Sequence, residues 1–106
     1  MTGTARKEQA MDDKALYRQK RQAQLDEWKA DVAKLRAKAA GAKAGAQIEI
    51  DKHLAELDDR MHEAGGRLSE LAAAGEETWD TARKKVETTW EALKAGVGAA
   101  AAKLKE

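Results

Sequence analysis

Proline, cysteine and phenylalanine do not occur at all in this chain of 106 residues. Each absence excludes something. An average chain carries roughly 5% proline, so about five would be ordinary here; with none, no residue forces a helix to stop. Without cysteine there is no disulfide framework and no thiolate chemistry. Aromatic residues make up only 4%, too little bulky apolar matter for an ordinary globular core. Neither sign of charge dominates, since 20 basic and 19 acidic residues leave a net charge of +1. The strongly basic footprint of a nucleic-acid-binding protein is missing, and nucleic acid is not an expected partner. No run approaches the roughly 18 apolar residues of a transmembrane helix. The opening stretch MTGTARKEQAMDDKALY lacks the apolar core of a secretory signal. The expectation is a soluble, cytoplasmic protein of one domain.

What is present is helix-forming. Alanine, lysine, glutamate, arginine and leucine dominate, and charged residues reach 37%. This composition suits long helices that bury a narrow stripe. Residues 1–11 are polar and are expected to be a flexible N-terminal segment. Asp12 or Asp13 can accept orphan backbone N–H bonds as the N-cap of a helix starting near Lys14. Residues 12–106 then form an amphipathic helical coiled-coil region, and the fold class is all-α.

The apolar period is explicit from Leu25 onward. Leu25, Trp28, Val32, Leu35, Ala39, Ala42 and Ala46 advance in alternating steps of three and four, a heptad seam. Ile50 and Leu54 follow at steps of four, which shifts the stripe around the helix as a stutter does. The seam resumes at Leu57, Met61, Ala64, Leu68 and Leu71. From there a second period enters. Leu57, Leu68, Trp79 and Trp90 are eleven apart, as are Leu71, Ala82, Leu93 and Leu104, and Gly75, Val86 and Val97. Eleven residues complete three turns at about 3.67 per turn, so such a stripe stays nearly straight. The two motifs ETWDTA and TTWEAL repeat because each tryptophan fills the same slot of a helical unit.

Three places can break the helix. Gly65-Gly66 is the strongest, because paired glycines cost about 2 kcal/mol against alanine in a helix interior. The stretch AAGAKAGA (39–46) and Gly75 with Glu76-Glu77-Thr78 are the others. The sequence leaves two arrangements open. One is a near-continuous helix, up to about 140 Å long and paired with copies of itself. The other is a helical hairpin that folds near residues 53–66 and brings Trp28 beside Trp79 and Trp90. In both, a lone copy leaves its alanine-rich stripe poorly buried, so a homo-oligomer is expected.

The polar face carries the pairs Glu56/Arg60, Glu63/Arg67 and Asp80/Lys84 at i, i+4, each worth about 0.2–0.5 kcal/mol. Trp28, Trp79 and Trp90 read as packing anchors or, alternatively, as residues that insert into a lipid or polymer surface. His53 and His62 stand nine apart and do not share a helical metal face, so no metal or other cofactor is expected. Gly41 and Gly45 match a small-xxx-small spacing but enclose Lys43. No catalytic residue can be assigned, because no hydroxyl sits in a recognisable triad motif and no phosphate-cradling glycine loop occurs. The expectation is a protein that is not an enzyme.

The residues LDEWKADVAKLRAKA (25–39), an alanine- and glutamate-rich middle, and then ETWDTARKKVETTWEALKAGV resemble a group of small bacterial coiled-coil proteins, some of them stress-associated. The likeness covers residues 17–104 and rests on LDEW and on W-x-x-L-K-x-G-V, motifs of low information. It implies an all-helical, non-enzymatic, cytoplasmic protein and carries over no site residue. Gly41, Gly45, Gly65 and Gly66 depart from the group's pattern and count against a helix unbroken from end to end. A more distant likeness is to phasin-like and apolipoprotein-like amphipathic proteins.

Two roles follow as expectations. The first is a structural or scaffolding coiled coil that self-associates, in a stress-related setting. The alternative is an amphipathic helical binder of lipid or storage-granule surfaces. In either role the working residues are the stripe Leu25, Trp28, Val32, Leu35, Ile50, Leu54, Leu57, Met61, Leu68, Leu71, Trp79, Ala82, Val86, Trp90, Leu93, Val97 and Leu104, with the turn placed at Gly65 and Gly66.

Overall fold

A computed structural model describes the backbone of residues 2–105 and the side chains of residues 13–104. Three helices follow one another: α1 (Thr2–Ala39), α2 (Ala44–Ala73) and α3 (Trp79–Lys105). The connections, residues 40–43 and 74–78, are too short for anything but antiparallel neighbours. The chain therefore runs up, down and up again, and α1 lies parallel to α3. All three pairs of helices pack on one another, in a rod of 65 × 19 × 16 Å.

Both arrangements expected from the sequence are thereby corrected: the chain is neither a single long helix nor a two-helix hairpin, but a three-helix bundle. The turns fall at the two weaker breakers, while α2 runs straight through Gly65 and Gly66. The physical reason is that Met61, Ala64, Leu68 and Leu71 hold one face of α2 against its neighbours on both sides of the glycine pair. All four are buried. This burial outweighs a local propensity cost of about 2 kcal/mol. The N-cap expected at Asp12 or Asp13 is also corrected, because the α1 backbone is already helical from Thr2. The flexible segment expected over residues 1–11 falls on residues whose side chains lie outside the described ones.

The core is one continuous cluster. Leu25, Val32, Leu35 and Ala39 come from α1, and α3 supplies Val86, Trp90, Leu93, Val97 and Ala100. Between them α2 contributes Ile50, Leu54, Leu57, Met61, Ala64, Leu68 and Leu71. The expectation that a lone copy is poorly buried is thus overturned: each stripe is covered by the two other helices of the same chain, and Leu54, Leu57, Val86 and Leu93 are wholly inaccessible. The rod shape still leaves a large surface. Its 7527 Å² exceeds the roughly 5,800 Å² of a compact monomer of this mass.

The two turns are built differently. At the α2–α3 turn, the Ala74 N–H reaches the Leu71 carbonyl at 3.2 Å and the Trp79 N–H reaches the Gly75 carbonyl at 2.9 Å. The Gly75 N–H also donates to the Thr78 hydroxyl at 3.1 Å. At the α1–α2 turn, α1 ends in tight bonds from Gly41 N–H to Lys38 and from Ala42 N–H to Ala39. The α2 N-terminus has Lys43 at its cap with no side-chain hydrogen bond, and no acidic residue in its first turn.

Candidate functional site

Eleven-residue spacing sets one seam of the bundle. Tyr17 and Trp28 are eleven apart on α1, and Trp79 and Trp90 are eleven apart on α3. Because the two helices are parallel, equal spacing along each produces two matched rungs. Tyr17 meets Trp79 edge-on, with ring centres 6.1 Å apart. Trp28 meets Trp90 at 6.2 Å with the planes tilted by 52°. Such aromatic pairs are worth about 0.5–1.5 kcal/mol beyond the area they bury. Cations dress the outer rung: the Lys14 ammonium lies 5.1 Å from the Trp79 ring and the Arg21 guanidinium 5.1 Å from the Tyr17 ring. Trp90 is only 2% exposed, and among the described residues its indole N–H has no hydrogen-bond partner. Trp28, Trp79 and Tyr17 are half-buried and pack against the core.

Tyr17 was not part of the expected stripe, although its place eleven residues before Trp28 was a legible signal. Of the seventeen expected stripe residues, Trp28, Trp79, Ala82 and Leu104 lie half-buried at the edge of the core and the other thirteen are within it. The structure brings all of them together on one interior, so none forms an apolar outer face. Among the described residues, the large apolar side chains that face solvent are Leu16 on α1 and Ile48 on α2.

The α2–α3 seam is the tightest. A methyl group added at Gly96 would stand 2.6 Å from the Leu57 Cδ2. Here the α3 backbone comes close enough for His53 Nε2 to donate to the Gly96 carbonyl at 3.2 Å. Gly65 and Gly66 face open space instead. They border a groove of about 660 Å³ between α1 and α2, whose walls include Lys29, Val32, Arg36, Asp58 and Met61. Arg36 and Asp58 bridge the two helices across it. Both are half-exposed, so the pair contributes at most about 1 kcal/mol.

Charge is sorted by helix. In α1 ten basic side chains stand against six acidic ones, and in α3 six against three. In α2 the order reverses, with three basic against seven acidic. The near-zero total hides an acidic middle helix flanked by two basic ones. Of the expected i, i+4 pairs only Glu63–Arg67 forms, at 3.5 Å. Asp80 turns to Arg83, and Glu56 lies nearer His53.

Thr88 and Thr89 donate their hydroxyls to the carbonyls of Lys84 and Lys85 one turn back. Among the described residues, no three His, Asp or Glu side chains gather in a way that would hold a metal ion. Nor is any described helix long and apolar enough to cross a membrane. What the geometry offers is three helices of different net charge around one shared apolar core. Comparison with family models, with curated proteins and with solved structures returned no match.

Proposed function

We propose that this chain is a non-enzymatic structural protein, a small helical scaffold that acts by associating with copies of itself. One observation carries the reading. The heptad seam from Leu25 to Ala46 keeps its phase across residues 40–43, where the chain turns. The sequence therefore encodes a longer helix-pairing surface than one folded bundle uses, since Ala39 is buried, Ala42 half-buried and Ala46 exposed. The charge sorting supports the same reading, because an acidic helix beside basic ones lets one copy complement another. The stress-related setting rests on the family resemblance alone. Light scattering over a concentration series, with circular dichroism on the same samples, tests the proposal. A helical species whose mass doubles with concentration supports it; a fully helical monomer at every concentration removes it.

A second reading, a binder of lipid or granule surfaces, is favoured by the half-buried Tyr17, Trp28 and Trp79 on one seam with Lys14 and Arg21 over the rings. Aromatic rings beside basic side chains suit an anionic interface. Tryptophan emission that shifts to the blue with anionic vesicles but not with neutral ones supports it, and unchanged emission with both counts against it.

A further inference from the structure

We infer that a second copy of this chain exchanges helix α1 with the first, the α1–α2 turn straightening so that each α1 lies on the partner's α2–α3 hairpin. This deepens the self-association reading and rests on it. Three features of the turn point to the exchange.

The first is that nothing in residues 40–43 requires a turn. The sequence is Ala-Gly-Ala-Lys, without proline, and no described residue has a positive φ. An added methyl at Gly41 would meet only the Lys38 carbonyl, at an ordinary 3.6 Å. The second is that the turn leaves α2 badly started. Its first N–H groups have no side-chain cap and no acidic neighbour, and Lys43 sets a positive charge at the positive end of the helix. A straight helix gives those N–H groups carbonyl partners four residues back and removes the end altogether. The third is the unbroken seam phase from Leu25 to Ala46, which a straightened Thr2–Ala73 helix uses as written. The α2–α3 turn differs on the first two counts, because Thr78 and Gly75 tie it with side-chain hydrogen bonds and α3 carries Asp80 in its first turn.

The exchange needs no new interface. On the partner's hairpin α1 remakes the same contacts: Tyr17 on Trp79, Trp28 on Trp90, and Arg36 with Asp58. Exchange of an identical element is a low-cost route to a closed dimer. Where the two long helices cross, residues 39–46 present only alanine, glycine and Lys43, so the backbones can approach.

Since the chain has no cysteine, Arg36→Cys with Asp58→Cys gives one reporter pair. After refolding over a range of concentrations, a short bis-maleimide joins the two thiols, since an arginine and an aspartate that meet span more than a direct disulfide does, and a denaturing gel separates the outcomes. The exchange predicts a covalent dimer whose fraction rises with refolding concentration. Two single variants act on the turn itself. Gly41→Ala favours the straight helix by about fivefold per turn, hence about 25-fold for a dimer with two such turns. Ala44→Pro has the opposite effect. It follows Lys43 at ψ 149 and so suits the compact turn, but it cannot continue a helix. Dimer must increase with the first and vanish with the second, with helical content kept in both. A dimer that persists in Ala44→Pro, or scattering dimers that yield only intramolecular cross-links, overturns the exchange and leaves self-association through outer faces. Monomer at every concentration in all variants overturns both.

Discussion

Gly96 and Leu57 touch so closely that the α3 backbone at Gly96 leaves no room for a side chain, a Cβ there falling 2.6 Å from Leu57 Cδ2. Leu57 is wholly buried and cannot swing outward. Gly96→Ala therefore overpacks the seam, at a typical cost of 1–3 kcal/mol, from which a gain of up to about 1 kcal/mol in helix propensity must be subtracted. The net expectation is a destabilisation of about 1 kcal/mol, measured as a lowered midpoint in urea with unchanged slope.

The same substitution has the opposite sign in α2. Gly65 and Gly66 lie inside a helix and a methyl at either meets nothing within 4 Å. Alanine at each position is expected to stabilise by about 0.5–1 kcal/mol. For a chain of this size that raises the thermal midpoint by roughly 4–8 °C per kcal/mol, which melting followed by circular dichroism reads directly. A drop in the midpoint would mean that the glycine pair does not sit on an open face of a continuous helix.

Trp90 tests the unpartnered indole N–H. Truncation to alanine empties a core site and should cost about 3–5 kcal/mol. Trp90→Phe keeps most of the ring against Trp28 and removes a buried donor that has no acceptor. It should cost less than about 1.5 kcal/mol. Equal losses for the two variants in chemical denaturation would show that the N–H is satisfied after all.

Thr78→Ala removes the hydroxyl that accepts from the Gly75 N–H and should cost about 1 kcal/mol, as the loss of a capping side chain does. Amide hydrogen exchange is the sharper measurement. Faster exchange is expected at the start of α3 and not at residues 40–43.

How much of this was legible in the sequence depends on range. The all-α class followed from composition, and the buried stripe from periodicity, because both are local properties of the chain. The turns were legible only as the two weaker of three candidate breakers, because which breakers are used is set by which stripes meet. Gly65-Gly66 was the strongest local breaker, yet Ala64 and Leu68 on either side of it are held in the core. The shift in phase at Ile50 and Leu54 is a stutter only along one helix, whereas it follows a change of helix. The eleven-residue interval from Leu68 to Trp79 spans a turn and is not a helical repeat, while that from Trp79 to Trp90 is. The charge sorting was visible only once helix boundaries existed, since interspersed signs along the chain separate when the chain is folded in three.

All three tryptophans belong to the seam between α1 and α3, and none lies on α2. The molecule thus carries its own optical gauge of whether α1 is seated. Loss of α1 to a lipid surface changes the environment of Trp28 and Trp90 together. Exchange of α1 between two copies restores the same rungs and leaves the emission spectrum where it was. A single spectrum, set beside a mass, separates the two ways this bundle can open.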